Sequence, residues 1–242
     1  MKAMILAAGL GTRLMSLTQN TPKALVKCNG ITLLEHALNN IKRAGIQEVV
    51  INVHHFAPQI ISFLEQHQHF GLHIHISDES AQLLDSGGGV LNAQKYFSAD
   101  EAFLVWNVDV VSNISISNMM ETFNKTENFA LLAVRHRNTS RYLLFDDNNR
   151  LCGWENTKTN ERKIMQAALH FIPLAYSGIQ ILHPDVFKYN QLKGVFSLTQ
   201  MYLELCKNHL IKAYPHDEDY WFDLGTPEAI KRAETFLNSN PN

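Results

Sequence analysis

Lys2-Ala3-Met4-Ile5-Leu6-Ala7-Ala8-Gly9-Leu10-Gly11-Thr12-Arg13-Leu14 opens the chain. An apolar run of strand length ends at two glycines and a cation. This order predicts a buried strand over residues 2–8, followed by a turn whose backbone amides can approach phosphates closely. A Gly-x-Gly pair is weak by itself, so its neighbours matter. The dinucleotide fingerprint needs Gly or Ala where Leu14 stands, and the acid expected on a ribose about twenty residues further on is missing. A Walker A loop needs Gly-Lys, and that dipeptide does not occur. What remains is a glycine loop with its own Arg13, and Lys23 behind Pro22. Arginine offers phosphate a planar fork and lysine a point charge. On these residues alone, a phosphate cradle and a tight turn carrying two surface cations are equal readings.

Outward from this loop the pattern alternates. Thr32 to Ala44 predicts a helix with a Thr32-x-x-Glu35 start and a Gly45 stop. Glu48 to Val53, Leu72 to Ser77 and Glu101 to Val108 predict strands. Pro58 to Gln66, Gly89 to Tyr96 and Ser115 to Phe123 predict helices between and after them. Strand and helix in alternation imply an α/β fold: a doubly wound, mostly parallel, Rossmann-like sheet covered on both faces. The pattern then becomes strand-rich, at Phe129 to Arg135, Tyr142 to Phe145, Leu151 to Trp154 and Leu169 to Leu182. Asp146-Asp147-Asn148-Asn149 predicts a hairpin turn. Ser197 to Asn208 and Thr226 to Asn238 close the chain as helices, the second opening on a Thr-Pro-Glu cap. No repeat or linker divides the sequence. We expect one domain over 1–242, with 129–182 contributing a strand-rich lobe.

The bulk properties exclude several partners. The 242 residues are 45% hydrophobic with a net charge of −2. No basic run suggests nucleic acid, and no apolar stretch has the length of a membrane span. The opening apolar run stops at Gly9 and meets Arg13, which is short for a signal peptide. Three cysteines without paired spacing, Cys28, Cys152 and Cys206, fit buried thiols in a reducing, cytoplasmic setting.

Two acids stand where acids do chemistry. Asp109 follows the apolar strand that ends Val105-Trp106-Asn107-Val108, and the carboxyl end of a central strand suits a metal ligand. Asp223 lies in Trp221-Phe222-Asp223-Leu224-Gly225-Thr226-Pro227, just before a helix start. Taken singly, each is as well read as a loop acid or helix cap. His54 and His55 are adjacent on a strand end and point to opposite faces, which favours packing over metal binding.

Gly9-x-Gly11-Thr12-Arg13-Leu14, with Leu17-Thr18 and Pro22-Lys23-Ala24, resembles the signature of the sugar-1-phosphate nucleotidyltransferases. The resemblance runs on through Asp109 and the Asp223-x-Gly225-Thr226-Pro227 segment, so it spans residues 9 to 228. It implies a nucleotide-diphospho-sugar transferase fold and the joining of a nucleoside triphosphate to a sugar 1-phosphate with release of pyrophosphate. It also implies that Ala8, Gly9, Gly11 and Thr12 wrap the triphosphate, that Arg13 and Lys23 contact its phosphates, and that Asp109 and Asp223 hold Mg²⁺. One departure is Ser16, where the family commonly has proline.

Leu83-Leu84-Asp85-Ser86-Gly87-Gly88-Gly89 resembles the family's base-reading loop, in the branch that includes N-acetylmuramate-1-phosphate uridylyltransferase and mannose-1-phosphate guanylyltransferases. This places Gly87 and Gly88 at the nucleobase. On the sugar side the resemblance points to Asn107, Glu155 and Gly178. The family's Lys-Pro after that glutamate is replaced by Asn156-Thr157-Lys158, and Lys158 reads as a surface lysine. Two other functions use the same letters: a phosphocholine cytidylyltransferase, which would need an aromatic cage drawn from Trp106, Trp154 and Trp221, or a non-catalytic nucleotide-sugar sensor. The expected state is a monomer or small homo-oligomer.

Overall fold

The computed structural model describes residues 1–125 and 127–240, with all their side chains except those of Met15 and Ser16, so Ser16's departure from the family pattern lies outside it. In chain order the strands and helices are β1 (Lys2–Leu6), β2 (Lys27–Cys28), β3 (Ile31–Thr32), α1 (Leu33–Arg43), β4 (Glu48–Val53), α2 (Ala57–Gln66), β5 (His73–Asp78), α3 (Asp85–Asn92), β6 (Phe103–Asn107), β7 (Val110–Ser112), α4 (Ile116–Asn124), β8 (Ala130–Arg135), β9 (Arg141–Phe145), β10 (Leu151–Asn156), β11 (Glu161–Ile164), β12 (Ile172–Leu182), α5 (Val186–Tyr189), α6 (Leu198–Leu205), β13 (Ile211–Pro215), β14 (Trp221–Asp223) and α7 (Pro227–Ser239).

The central sheet is mixed. Strands β5, β4, β1 and β6 run parallel in that spatial order, and β12 joins β6 antiparallel. From β12 the sheet branches, to β8 and β13 on one side and to β9, β10 and β11 on the other. The chain leaves β1 toward β4 and β5, then crosses back to lay β6 on the opposite side of β1. The carboxyl ends of β1 and β6 therefore form a topological switch point, where open α/β sheets bind ligands.

Strand β1 is central because its residues alternate between two cores. Ala3 and Ile5 pack with α1, α2, α4 and α7 on one face, and Met4 packs with α3 and α6 on the other; all three are fully buried. Helix α1 forms where Leu33, Leu34, Ala37, Leu38 and Ile41 fall on one face, with the Thr32 side chain accepting from the Glu35 amide at 3.1 Å as its cap. The predicted hairpin turn joins β9 to β10, with Asp146 Oδ1 accepting from the amides of Asn148 and Arg150 and Asn149 at φ 60°.

The predicted glycine-rich loop is instead the first half of helix α3. Three glycines cost helix propensity, but tertiary contacts demand them. A Cβ at Gly87 would meet the Phe196 ring within 2.6 Å, and one at Gly89 would meet Glu79 Oε1 at 2.7 Å. Six short strands also escaped the sequence reading: β2, β3, β7, β11, β13 and β14.

Candidate active site

At the switch point, β1 ends in the glycine loop and β6 ends at Asn107. The Val108 amide donates to Leu6 O at 3.2 Å, which ties the two strand ends together. Gly11 takes φ 65°, and the space beside it is filled by Lys23 Cβ and Thr18 Cγ2, each 3.0 Å from where a Cβ would stand. The backbone thus curls back and sets Lys23 against the loop. Lys23 Nζ donates to Asp109 Oδ2 in an ion pair whose side chains are only 12% and 15% exposed. Arg13 lies more loosely, at 3.9 Å from Asp223 Oδ1 and largely in solvent.

The two acids, remote in sequence, are joined by a two-stranded ladder. Strands β7 and β14 pair antiparallel with Asp223 opposite Val110, and the Leu224 amide donates to Asp109 O at 2.8 Å. The Asp223 carboxyl is held above its ordinary pKa, first because it is partly buried and then because the Asp109 charge opposes its ionisation; Lys23 and Arg13 pull it the other way. Two neighbouring oxygen acids, one of them costly to ionise beside the other's charge, fit a hard divalent cation such as Mg²⁺. No third His, Cys, Asp or Glu joins them in a metal-binding group among the described residues, and Mg²⁺ commonly takes one or two carboxylates with water and phosphate oxygens.

A cleft of about 730 Å³ opens over these groups, lined among others by Ala8, Gly9, Arg13, Lys23, Asn107 and Asp109. Its far wall carries Asn52, Leu83, Asp85 and Ser86. Six of the expected residues therefore meet in one cavity, with Asp223 beside them. Gly178 adjoins it: at φ 78° it leaves room for Asn107, whose Nδ2 would lie 2.9 Å from a Cβ there. Asn107 Oδ1 is buried with no partner.

The remaining expected residues lie elsewhere. Thr12 is exposed at the start of a 3₁₀ segment, Thr12–Thr18. Glu155 faces Arg162 Nε at 3.7 Å on β10, and Lys158 is an exposed turn residue. Gly87 and Gly88, expected against a base, are buried in the first turns of α3. Their amides both donate to Phe196 O, at 2.9 and 3.0 Å, and they pack inside the protein. The cleft-facing part of that segment is Leu83, Asp85 and Ser86, just before them. His54 Nδ1 contacts Glu79 O at 2.7 Å, which makes it a packing residue, as its strand position suggested.

Two participants were not anticipated. Gly225 has its Cα where a side chain would run into the Arg13 guanidinium and Asp223 Oδ1, so its bareness lets the cation approach. Its presence in the Asp-x-Gly-Thr-Pro segment was the available signal. Glu79 is 3% exposed and accepts from Asn52 Nδ2 at 2.7 Å and from the Leu84 amide at 3.3 Å, while Asn52 Oδ1 accepts from the Ala7 amide at 2.7 Å. This strut couples the glycine loop to the wall at Leu83, and nothing local in the sequence marks it.

The family model described as nucleotidyl transferase matches residues 2–240. The chain belongs to the nucleotidyl transferase family. Among curated relatives of this nucleotidyl transferase, N-acetylmuramate alpha-1-phosphate uridylyltransferase of Caulobacter vibrioides is 30% identical over 241 residues, covering 97% of this chain and 96% of that protein. D-glycero-alpha-D-manno-heptose 1-phosphate guanylyltransferase of Campylobacter jejuni is 28% identical over 231 residues, covering 94% of this chain and 96% of that one. In fold, the nucleotidyl transferase resembles HddC from Yersinia pseudotuberculosis complexed with GMP-PN, with TM-score 0.78, 21% identity and 98% of this chain and 99% of that chain covered. It also resembles UDP-glucose pyrophosphorylase from Acinetobacter baumanii, with TM-score 0.80, 18% identity and 100% and 94% covered.

Other features bear on the competing readings. No ring contact joins any two of Trp106, Trp154 and Trp221 among the described residues, and Trp106 is fully buried with Nε1 donating to Val110 O. The cage that a quaternary ammonium would need is not built from these three. No helix of the described residues is long and apolar enough to cross a membrane.

Proposed function

We propose that this nucleotidyl transferase forms a nucleoside diphosphate sugar by in-line displacement at the α-phosphorus of a nucleoside triphosphate. An oxygen of the sugar 1-phosphate attacks, the bond to the bridging β-phosphate oxygen breaks, and pyrophosphate departs. The attacking phosphate is already an anion, so no side-chain nucleophile or base is required. The observation that carries this reading is the convergence of Lys23, Arg13, Asp109 and Asp223 at the carboxyl ends of β1 and β6.

Each side chain has a task set by its surroundings. Lys23 is held by its ion pair and by Gly11, so its charge is oriented before substrate arrives, the arrangement in which electrostatic stabilisation is most effective. Arg13 is solvent-exposed and loosely paired, free to close on the leaving pyrophosphate. Asp109 and Asp223 would hold Mg²⁺, which when bound would offset repulsion between the two phosphates. Ala8 and Gly9 offer backbone to the triphosphate, and Leu83, Asp85 and Ser86 lie where the base would be read. We place the sugar beside Asn107 and Gly178, and assign segment 129–182 to the acceptor side of a single 1–242 domain. Glu155 would reach the sugar's hydroxyls after releasing Arg162.

The relative from Caulobacter vibrioides supports uridine triphosphate and N-acetylmuramate 1-phosphate as the first pair to try. The test is a matrix of four nucleoside triphosphates against several sugar 1-phosphates with Mg²⁺, read by product mass and pyrophosphate release. One pair should turn over well above the rest. Absence of pyrophosphate from every pair, with nucleotide still bound, would favour a sensor instead.

A further inference from the structure

Among the described residues, segment 129–182 puts one cation into the wall of the main cleft, and it is Arg141. Arg135 and Arg137, from the same segment, line a separate hollow with Arg232 and Trp221. The cleft's other cations, Arg13 and Lys23, come from the opening of the chain, and each leans on an acid: Lys23 on Asp109, Arg13 on Asp223. Arg141 has no carboxylate within ion-pair distance among the described residues. A plain solvated arginine has that property too, so its place in the sheet decides what it does.

Arg141 opens β9, and its backbone is fixed. Its amide donates to Thr139 Oγ1 at 3.4 Å, and the Thr157 amide donates to Ser140 O at 2.8 Å, which ties the loop before β9 to the end of β10. Strand β9 pairs with β12 so that Phe145 faces Ile172 and Leu143 faces Leu174. Arg141 lies two residues beyond Leu143, in the direction in which β12 runs on to Gly178. The cation thus enters the cleft from the side on which we place the sugar. Across the other ladder, the partner of Arg141 is Asn156 on β10. Directly paired residues share a face, with Cβ atoms about 4.5–5.5 Å apart. Asn156 is neutral, and its Oδ1 accepts from the Lys158 amide at 3.0 Å. Lys158 is exposed in the turn after β10 and takes no part in the cleft wall. At this position the ladder therefore carries one cation, on β9.

We propose that Arg141 binds the phosphate of the acceptor. The inference rests on the transferase reading above and adds to it the residue that holds the attacking group. The acceptor phosphate has to approach a triphosphate of the same sign, and a fixed cation beside it offsets that repulsion. An arginine without a carboxylate partner breaks no ion pair when phosphate arrives, and its planar fork matches two phosphate oxygens. The contact is made in the bound state and kept through the reaction, so it acts on the acceptor's KM rather than on kcat.

Initial rates are measured on the full chain with Mg²⁺ and the substrate pair that turns over best, starting from UTP with N-acetylmuramate 1-phosphate. Arg141→Gln should raise the KM for the sugar 1-phosphate by about ten- to hundredfold, with the triphosphate KM unaltered. Lys158→Gln should change neither. Moving the cation across the ladder, by combining Arg141→Gln with Asn156→Lys, should recover most of the lost affinity, a rescue that a merely structural role would not permit. An unchanged acceptor KM in Arg141→Gln overturns the proposal, and so does a rise in the triphosphate KM instead. Failure of both Arg141→Lys and the relocated lysine to restore acceptor affinity also overturns it, because charge is then not what position 141 supplies. A wild type that turns over no pair at all sinks the transferase reading, and this inference with it.

Discussion

Asp109 accepts, through its backbone oxygen, a hydrogen bond of 2.8 Å from the amide of Leu224, the residue after Asp223. With the β7–β14 pairing, this bond brings together two carboxylates that lie 114 positions apart (223 − 109). The acids are therefore positioned by backbone, and their side chains can be altered while the ladder stays. Asp109→Asn should abolish nucleotidyl transfer at saturating Mg²⁺ with a far-ultraviolet circular dichroism spectrum like that of the wild type. Turnover within tenfold of wild type would remove Asp109 from the metal pair.

Asp223 makes a pH-dependent contribution of opposite sign to the usual acid. Burial and the Asp109 charge raise its folded-state pKa, so the folded protein holds this proton more tightly than the unfolded chain. The group favours folding while protonated at low pH, and that contribution is lost as pH rises through its raised folded value. In metal-free buffer at pH 7, Asp223→Asn should therefore raise the melting temperature. The gain should shrink as pH falls into the carboxylate range. A variant that melts below wild type at pH 7 would contradict this sign.

Lys23 is the oriented cation. Lys23→Met should lower kcat by about 10²–10³, because its charge is set in place before the reaction while Arg13 must move. Arg13→Met should act mainly through the triphosphate, raising its KM. Initial-rate kinetics separate the two, and a kcat unchanged in Lys23→Met would place the reacting phosphorus elsewhere.

Gly225→Ala tests whether Arg13 works from where it is seen. The added methyl would collide with the Arg13 guanidinium and lie 2.8 Å from Asp223 Oδ1. Arg13 must then retreat, and the triphosphate KM should rise about tenfold, the loss of one charge-assisted contact. Arg13→Met should then add little to Gly225→Ala in a double-mutant cycle.

Gly178→Ala probes backbone strain at the sugar side. At φ 78° an alanine pays about 1–2 kcal/mol, and its Cβ also meets Asn107 Nδ2 and Val110 Cγ2 at 2.9 Å. Urea denaturation should register a loss of 2 kcal/mol or more by these combined effects. A smaller loss would mean that Asn107 gives way freely.

Strands β1, β4 and β6 were legible because each is an apolar run of strand length, buried on both faces. Glu161–Ile164 was not, because all four residues are exposed and no apolar alternation marks them. Ile211–Pro215 ends in proline, and Trp221–Asp223 spans only three residues, too few to display a period. Gly87 and Gly88 were read as loop before the helix for a related reason: what calls for glycine there includes Phe196, more than a hundred residues along the chain, which packs where a side chain of residue 87 would stand.

Local chemistry in the letters determined the α/β alternation, the glycine turn after the first strand, and the identity of the cations and acids, since periodicity, turn residues and charge are properties of neighbours in the chain. Only the tertiary structure decided that β7 and β14 set Asp223 beside Asp109, that Gly225 admits Arg13, that the Gly87 and Gly88 amides meet Phe196 O, and that Arg135, Arg137 and Arg232 share a hollow with Trp221. Each of those depends on a contact between segments distant in sequence, and such contacts form only when the sheet closes around its two cores.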